Sequence, residues 1–189
     1  MTLIATSGSV TSAGISQLWY LIAPATGSNT VTITRTGTTN RLAGGASSYT
    51  GAKQSAQPDA STTEAVSSVT SNAVTLTTID DNCWTIAGLD TSAGGVTAGA
   101  GTTLRQAVTD GSAIIDSNAA ITPAGSTTLN YNMTSGNTTV VMASFSPLVE
   151  ATTTSSSTST TSTTTSTSTS TSTSTSTSTS TSTSTSTST

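Results

Sequence analysis

Histidine is absent from this 189-residue chain, and cysteine occurs once, as Cys83. Without imidazole no Ser-His-Asp or Cys-His triad can be built, and a zinc centre loses its commonest nitrogen ligand. One thiol cannot make a disulfide framework. Charge is also scarce, with four Lys or Arg and eight Asp or Glu making 6% of the chain, where soluble proteins carry roughly a quarter. Arg35, Arg41, Lys53 and Arg105 are scattered and the net charge is −4, so no basic footprint for a nucleic-acid backbone exists. No apolar run approaches the ~20 residues of a membrane-spanning helix. No basic segment followed by an apolar stretch marks Met1 as the start of a signal peptide; the expectation is another export route or an upstream beginning. These absences point away from an enzyme: no catalytic residue, cofactor, metal, nucleic-acid partner or membrane span is expected.

What remains falls into two parts, a domain over residues 1–150 and a tail over 151–189. All twelve charges and all six aromatics (two Trp, three Tyr, one Phe) lie in the first part. It has the length of one average domain and the apolar side chains to build a core. Residues 152–189 are Ser and Thr without exception. Such a stretch has no apolar side chain with which to offset the entropy of folding.

From Thr165 to Thr189 the tail alternates Thr and Ser without a fault, so an extended backbone carries Thr methyls on one side and Ser on the other. Fully extended, residues 152–189 would reach ~125 Å. This is the composition of O-glycosylated, mucin-like stalks, in which crowded sugars stiffen the backbone. The candidate acceptors are Thr165, Ser166, Thr167, Ser168, Thr169, Ser170, Thr171, Ser172, Thr173, Ser174, Thr175, Ser176, Thr177, Ser178, Thr179 and Ser180. The bland alternatives are an unmodified flexible linker and an aggregation-prone β segment.

Short runs rich in Val, Ile, Thr and aromatics recur between Gly, Asn, Asp and Pro breakers, the pattern of an all-β domain of about eight strands. Ile15–Ala23 reads as a strand covered on both faces, ended by Pro24. Thr30–Thr36 alternates as a half-buried strand, with Val31 and Ile33 on one side. Arg41–Thr50 is a weaker strand, interrupted by Gly44 and Gly45 and anchored by Tyr49. Lys53–Ser61 reads as a surface loop. Val74, Leu76 and Thr78 alternate with Thr75, Thr77 and Ile79; Asp80-Asp81-Asn82 then turns the chain into a strand over Cys83–Leu89. Asp90–Gly101 reads as a long mobile connection. Asp110-Gly111 predicts a tight hairpin between Thr102–Thr109 and Ala113–Asp116. A last hairpin is expected between Thr127–Met133 and Thr138–Ser146 over Ser135-Gly136-Asn137, stopped by Pro147. Antiparallel strands of this length close most readily as a β-sandwich, jelly-roll-like in its topology.

The string LWYLIAPATGSNTVTITRTG, followed by SSYTGAKQ, DDNCWTIAGLD and VVMASFSP, resembles a group of uncharacterised secreted β-sandwich repeat domains of environmental bacteria and phages. The resemblance covers Met1 to Pro147, and its distinctive elements are Trp19–Val31 and Ser48–Gly51. It implies a sandwich fold and repeats joined by Ser/Thr-rich linkers, and it brings no catalytic residues. Members carry further strands upstream that end in a segment similar to Met1-Thr2-Leu3, which implies a missing first part and an open sheet edge that a neighbouring chain can fill. The tail resembles the repetitive Ser/Thr segments of glycan-coated extracellular fibril proteins.

Each candidate site has a bland counterpart. Asp80, Asp81, Asn82 and Asp90 offer oxygen ligands for Ca²⁺, but the spacing lacks the central Gly and terminal Glu of a calcium loop, and an acidic turn explains them. Asp110 and Asp116 are a weak carboxylate pair for glycoside hydrolysis. Trp19, Tyr20, Tyr49, Trp84 and Tyr131 are candidates for a sugar-stacking platform, although Trp19 and Trp84 are expected in the core. Cys83 reads as a small buried hydrophobe. Asn132 and Asn137 open N-glycosylation triplets. The expectation from the residues is a non-enzymatic extracellular or cell-surface structural protein that assembles with copies of itself under an O-glycosylated tail. The alternative is an adhesin or phage appendage carrying a carbohydrate-binding module on a stalk.

Overall fold

A computed structural model describes residues 1–34, 42–109 and 111–148. These residues are all-β, with no helix and with antiparallel pairing throughout. The eight strands are β1 (Thr2–Thr6), β2 (Gln17–Tyr20), β3 (Ala60–Thr77), β4 (Trp84–Thr91), β5 (Thr97–Ala98), β6 (Thr103–Ala107), β7 (Ala113–Asp116) and β8 (Ser126–Phe145). β1 and β2 form a two-stranded sheet; the other six form one sheet in the order β3-β8-β4-β7-β6, with β5 also on β8. No helix among the described residues is long and apolar enough to cross a membrane.

The large sheet is organised by the ribbon of β3 and β8, paired from Ala60↔Ser144 to Thr77↔Ser126. This ribbon folds back on itself. Tyr131 and Thr138 lie seven residues apart on β8, ~23 Å if the strand were straight, yet their hydroxyls share a hydrogen bond of 2.8 Å. On β3, Asn72 Nδ2 donates to Glu64 Oε2 at 3.2 Å across eight residues. The bend falls where the register slips between Val66 and Ser71. There Ser68 adopts φ +58° and donates its N–H to Asn137 Oδ1 at 2.8 Å. Gly136 is required at the bend because a Cβ would stand 2.7 Å from Ser92 Oγ and 2.8 Å from Ala93 Cβ.

The expected hairpin over Ser135-Gly136-Asn137 is therefore corrected to a bend within one continuous strand. The reason is partner supply: β3 pairs both halves of β8, while β5 takes up the other edge at Tyr131 and Asn132, and β4 does so from Thr138 to Phe145. Between the two limbs lies the core. Ala87, Leu89, Ala113, Ile115, Val140 and Met142 on the wide limb meet Val74, Leu76, Leu129, Tyr131 and Met133 on the other, with Val96 added from the β4–β5 connection. The outer face of the wide limb, with Ile86, Val141 and Ala143 buried, is covered by the N-terminal segment. Ser16 Oγ donates to the Thr139 carbonyl at 3.0 Å, Gly14 N–H to Asp90 Oδ2 at 2.8 Å, and the Tyr20 ring packs edge-on against Phe145 at 6.2 Å.

Several local expectations are met. Val74, Leu76 and Thr78 are buried in alternation, Asp80–Asn82 turns the chain with Asn82 at φ +60°, and β6 and β7 form their hairpin with Gly111 at φ +102°. Asp110 lies outside the described residues. Other readings are corrected. β2 spans only Gln17–Tyr20, with Leu18 and Tyr20 turned inward while Trp19 stays 48% exposed, so Trp19 is not in the core. Residues 30–34 and 42–50 contain no strand, and Val31 and Ile33 are 50% and 54% exposed. Alternation needs a partner strand, and none among the described residues pairs there. β3 begins at Ala60, so the strand read around Val74–Thr78 starts much earlier, its Thr/Ser-rich half being held by β8 rather than by its own apolarity. Asp90–Gly101 contains the end of β4 and all of β5.

Candidate functional site

Around the N-terminal end of β4 the segment 47–49, β6 and β7 bring an aromatic pair and an ion pair together. The β6–β7 register slips between Leu104 and Gln106. Arg105 sits in that slip, with its Nε donating to Asp116 Oδ2 at 2.5 Å and its Nη2 to Asn118 Oδ1 at 2.9 Å. Asp116, the last residue of β7, is fully buried; it also accepts from the Tyr49 hydroxyl at 2.9 Å and from the Asn118 N–H at 2.9 Å. Burial alone would raise its pKa, but the hydrogen bonds from Arg105, Tyr49 and Asn118 prevail and hold the carboxyl below the usual range. Burial, reinforced by that carboxylate, pushes the Tyr49 phenol up to about 12.

The Tyr49 and Trp84 rings stand 5.9 Å apart at 46°. Together with Ser47, Ser48 and the Arg105 guanidinium they line an open cleft of about 400 Å³. The Trp84 indole N–H is shielded from solvent and has no hydrogen-bond partner among the described residues. A second groove, about 530 Å³ and lined by amides such as Asn72, Asn130 and Asn132, lies along the paired stretch that leads to the bend of β3 and β8.

The other candidates are placed as follows. Asp80 faces Lys53 at 3.9 Å, Asp81 Oδ1 accepts from Ala124 N–H at 2.5 Å, and Asn82 Oδ1 accepts from Thr122 at 2.6 Å. Asp90 stands near the far end of β4 from this turn, accepting from Gly14 and from Ser112 Oγ at 2.7 Å. The four oxygen donors therefore do not converge. Asp116 serves the ion pair just described, and its proposed partner Asp110 lies outside the described residues. Trp19 is exposed beside Leu3, its cross-strand partner; Tyr20 packs on Phe145, and Tyr131 is core. Asn132 is exposed, whereas the Asn137 amide is engaged by Ser68 N–H and the Thr11 carbonyl. Cys83 is a buried free thiol, its pKa pushed up to about 11 by burial and by the charge of Asp59. Thr165 to Ser180, like Arg35 and Arg41, lie outside the described residues.

Arg105 escaped the sequence reading because its partner is set by a strand slip, and no spacing rule marks a slip. Asp59 escaped it too: it accepts from Ile79 N–H at 2.8 Å and Asp80 N–H at 3.0 Å, although it reads as part of a loop. In comparisons with family models, curated proteins and solved structures, nothing matches the chain.

Proposed function

We propose that this chain is a non-enzymatic extracellular structural protein, a subunit that assembles with copies of itself into a glycan-coated fibre or surface stalk. In this reading the folded-over sheet is a jelly-roll-like β-sandwich, and the tail from Thr165 onward is O-glycosylated. The observation that carries it is where apolar surface is left uncovered. Of the large exposed apolar side chains among the described residues, all but Ile79 and Leu148 fall within the first 49 residues: Met1, Leu3, Ile15, Trp19, Leu21, Val31, Ile33, Leu42 and Tyr49. Single exposed apolar residues are ordinary; in this reading these nine supply the apolar contacts that copies of the chain cover when they assemble. The Ser/Thr tail supports the second half of the reading, because a long uncharged stretch needs decoration or packing to act as a stalk.

Two measurements on native material test this. Intact mass spectrometry should give a mass well above the 18.5 kDa of the polypeptide; a mass equal to it removes the glycan. Electron microscopy should reveal filaments, and discrete particles at every concentration would remove self-assembly.

A further inference from the structure

We infer that the cleft lined by the packed Tyr49 and Trp84 rings is a binding site for one neutral pyranoside unit of a saccharide. Its volume of about 400 Å³ is in the range of small-ligand sites. Its open side would let a longer chain continue into solvent. Aromatic faces carry negative π density that attracts the C–H bonds of a sugar ring, and two such faces set at 46° make a corner rather than a flat patch. Ser47, Ser48 and the Arg105 guanidinium surround that corner with the donors and acceptors that sugar hydroxyls need.

What separates this corner from ordinary surface packing is how its polar groups are held. The fully buried Asp116 carboxylate fixes the Tyr49 hydroxyl and the Arg105 Nε together, and Asn118 fixes Arg105 Nη2. A ligand therefore meets groups whose ordering entropy has been spent in folding. The same carboxylate sets the charge preference. With the Arg105 charge already balanced by the buried Asp116, a uronate would compete for a guanidinium whose Nε and Nη2 are engaged, whereas a neutral sugar can accept from the remaining N–H groups without disturbing that pairing. The Trp84 ring lines the cleft, and its emission reports on whatever enters beside it.

The inference does not rest on self-assembly, and binding is read on the monomeric chain because Tyr49 is also among the side chains left exposed for assembly. Its test uses the full chain carrying Trp19→Phe, so that Trp84 is the one fluorophore of its kind. Methyl glycosides of glucose, galactose, mannose, N-acetylgalactosamine and glucuronic acid are titrated to ~10 mM, enough to reveal a dissociation constant of about 1 mM. The expected result is a saturable change in Trp84 emission with at least one neutral glycoside and a response at least ~3-fold weaker to the glucuronide. Ser48→Leu and Ser47→Gln each narrow the cleft without adding a tryptophan, and whichever retains the parent unfolding temperature should lose the response. Silence with every neutral glycoside, or a response that survives the narrowed cleft, overturns the site; a glucuronide that binds as well overturns the charge argument. A glycosylated Thr-Ser peptide that competes locates the natural sugar on the tails of neighbouring copies. Failure of that peptide while the free glycoside binds locates it on a foreign polysaccharide.

Discussion

Asp59 stands immediately before β3 and Ile79 just after it, yet the Asp59 carboxylate accepts the Ile79 N–H at 2.8 Å. An 18-residue strand separates them, some 60 Å if it ran straight. The two ends of β3 meet because the ribbon folds over, and the same carboxylate also holds Asp80 N–H and Ser144 Oγ. One side chain thus closes the arch that encloses the core.

Asp59→Ala should lower stability by about 1–2 kcal/mol, since it leaves the Ile79 and Asp80 N–H groups to find water. Burial would raise the Asp59 pKa, but the donors at Ile79, Ser144 and Asp80 together keep it lowered. A lowered carboxylate contributes stability above its unfolded pKa of 3.8, and that contribution is lost as pH falls through the folded value. Urea titrations between pH 6 and pH 2 should therefore find the wild type losing more stability below about pH 4 than the variant does.

Gly136→Val should destabilise by about 1–3 kcal/mol, and Gly136→Ala by less, because even one Cβ meets Ser92 Oγ at 2.7 Å and Ala93 Cβ at 2.8 Å. Thermal unfolding followed by circular dichroism measures it. Equal melting temperatures for all three chains would show that the bend has room to open.

The hydroxyl contact between the two limbs of β8 is measurable as a coupling. Tyr131→Phe and Thr138→Val each remove one end of the 2.8 Å bond. Each should cost about 1 kcal/mol, and the double variant should cost less than their sum. Strict additivity would mean the contact does not join the limbs in solution.

At alkaline pH the Tyr49 phenol becomes the sensitive group. Its folded pKa of about 12 lies above the ordinary value of 10.0, so the stabilisation is complete below pH 10 and is lost as pH rises through the folded value. Tyr49→Phe should flatten that part of the stability profile, read by denaturant titration from pH 9 to pH 12. Asp116→Asn should cost about 1–3 kcal/mol at neutral pH, because Arg105 and Tyr49 lose the carboxylate that joins them.

The exposed N-terminal surface makes its own prediction. Leu3→Ser combined with Trp19→Ser removes a half-exposed cross-strand apolar pair that contributes about 1 kcal/mol or less inside the subunit. The melting temperature should change little while the sedimentation coefficient falls to that of a monomer. An unchanged assembly would place the contacts elsewhere.

Local chemistry was legible wherever it was decided locally. Asp80-Asp81-Asn82 turns because Asn tolerates positive φ, the 102–116 hairpin forms around Gly111, and Pro147 follows the end of β8. Tyr49 and Trp84 were visible among five aromatic candidates for a sugar platform, and Asp116 only as half of a carboxylate pair with Asp110. Nothing in their spacing, 35 and 32 residues apart, announces a common corner; β4 and β7 bring them together by pairing at Ile86↔Asp116. The runs at 30–34 and 42–50 misled because alternation states what a strand would bury and not whether a partner strand exists.

The sequence by itself determined the all-β class, the turns, and the division between a chain able to form a core and a Ser/Thr stretch that is not, since these follow from side-chain volume, polarity and backbone preference within a few residues. The tertiary structure decided that β8 is one bent strand, that Trp19 faces outward, and that Arg105 and Tyr49 converge on a buried Asp116. Those outcomes depend on which strand edges find partners across long stretches of chain, and pairing free energy is non-local: no window of sequence contains both of its terms.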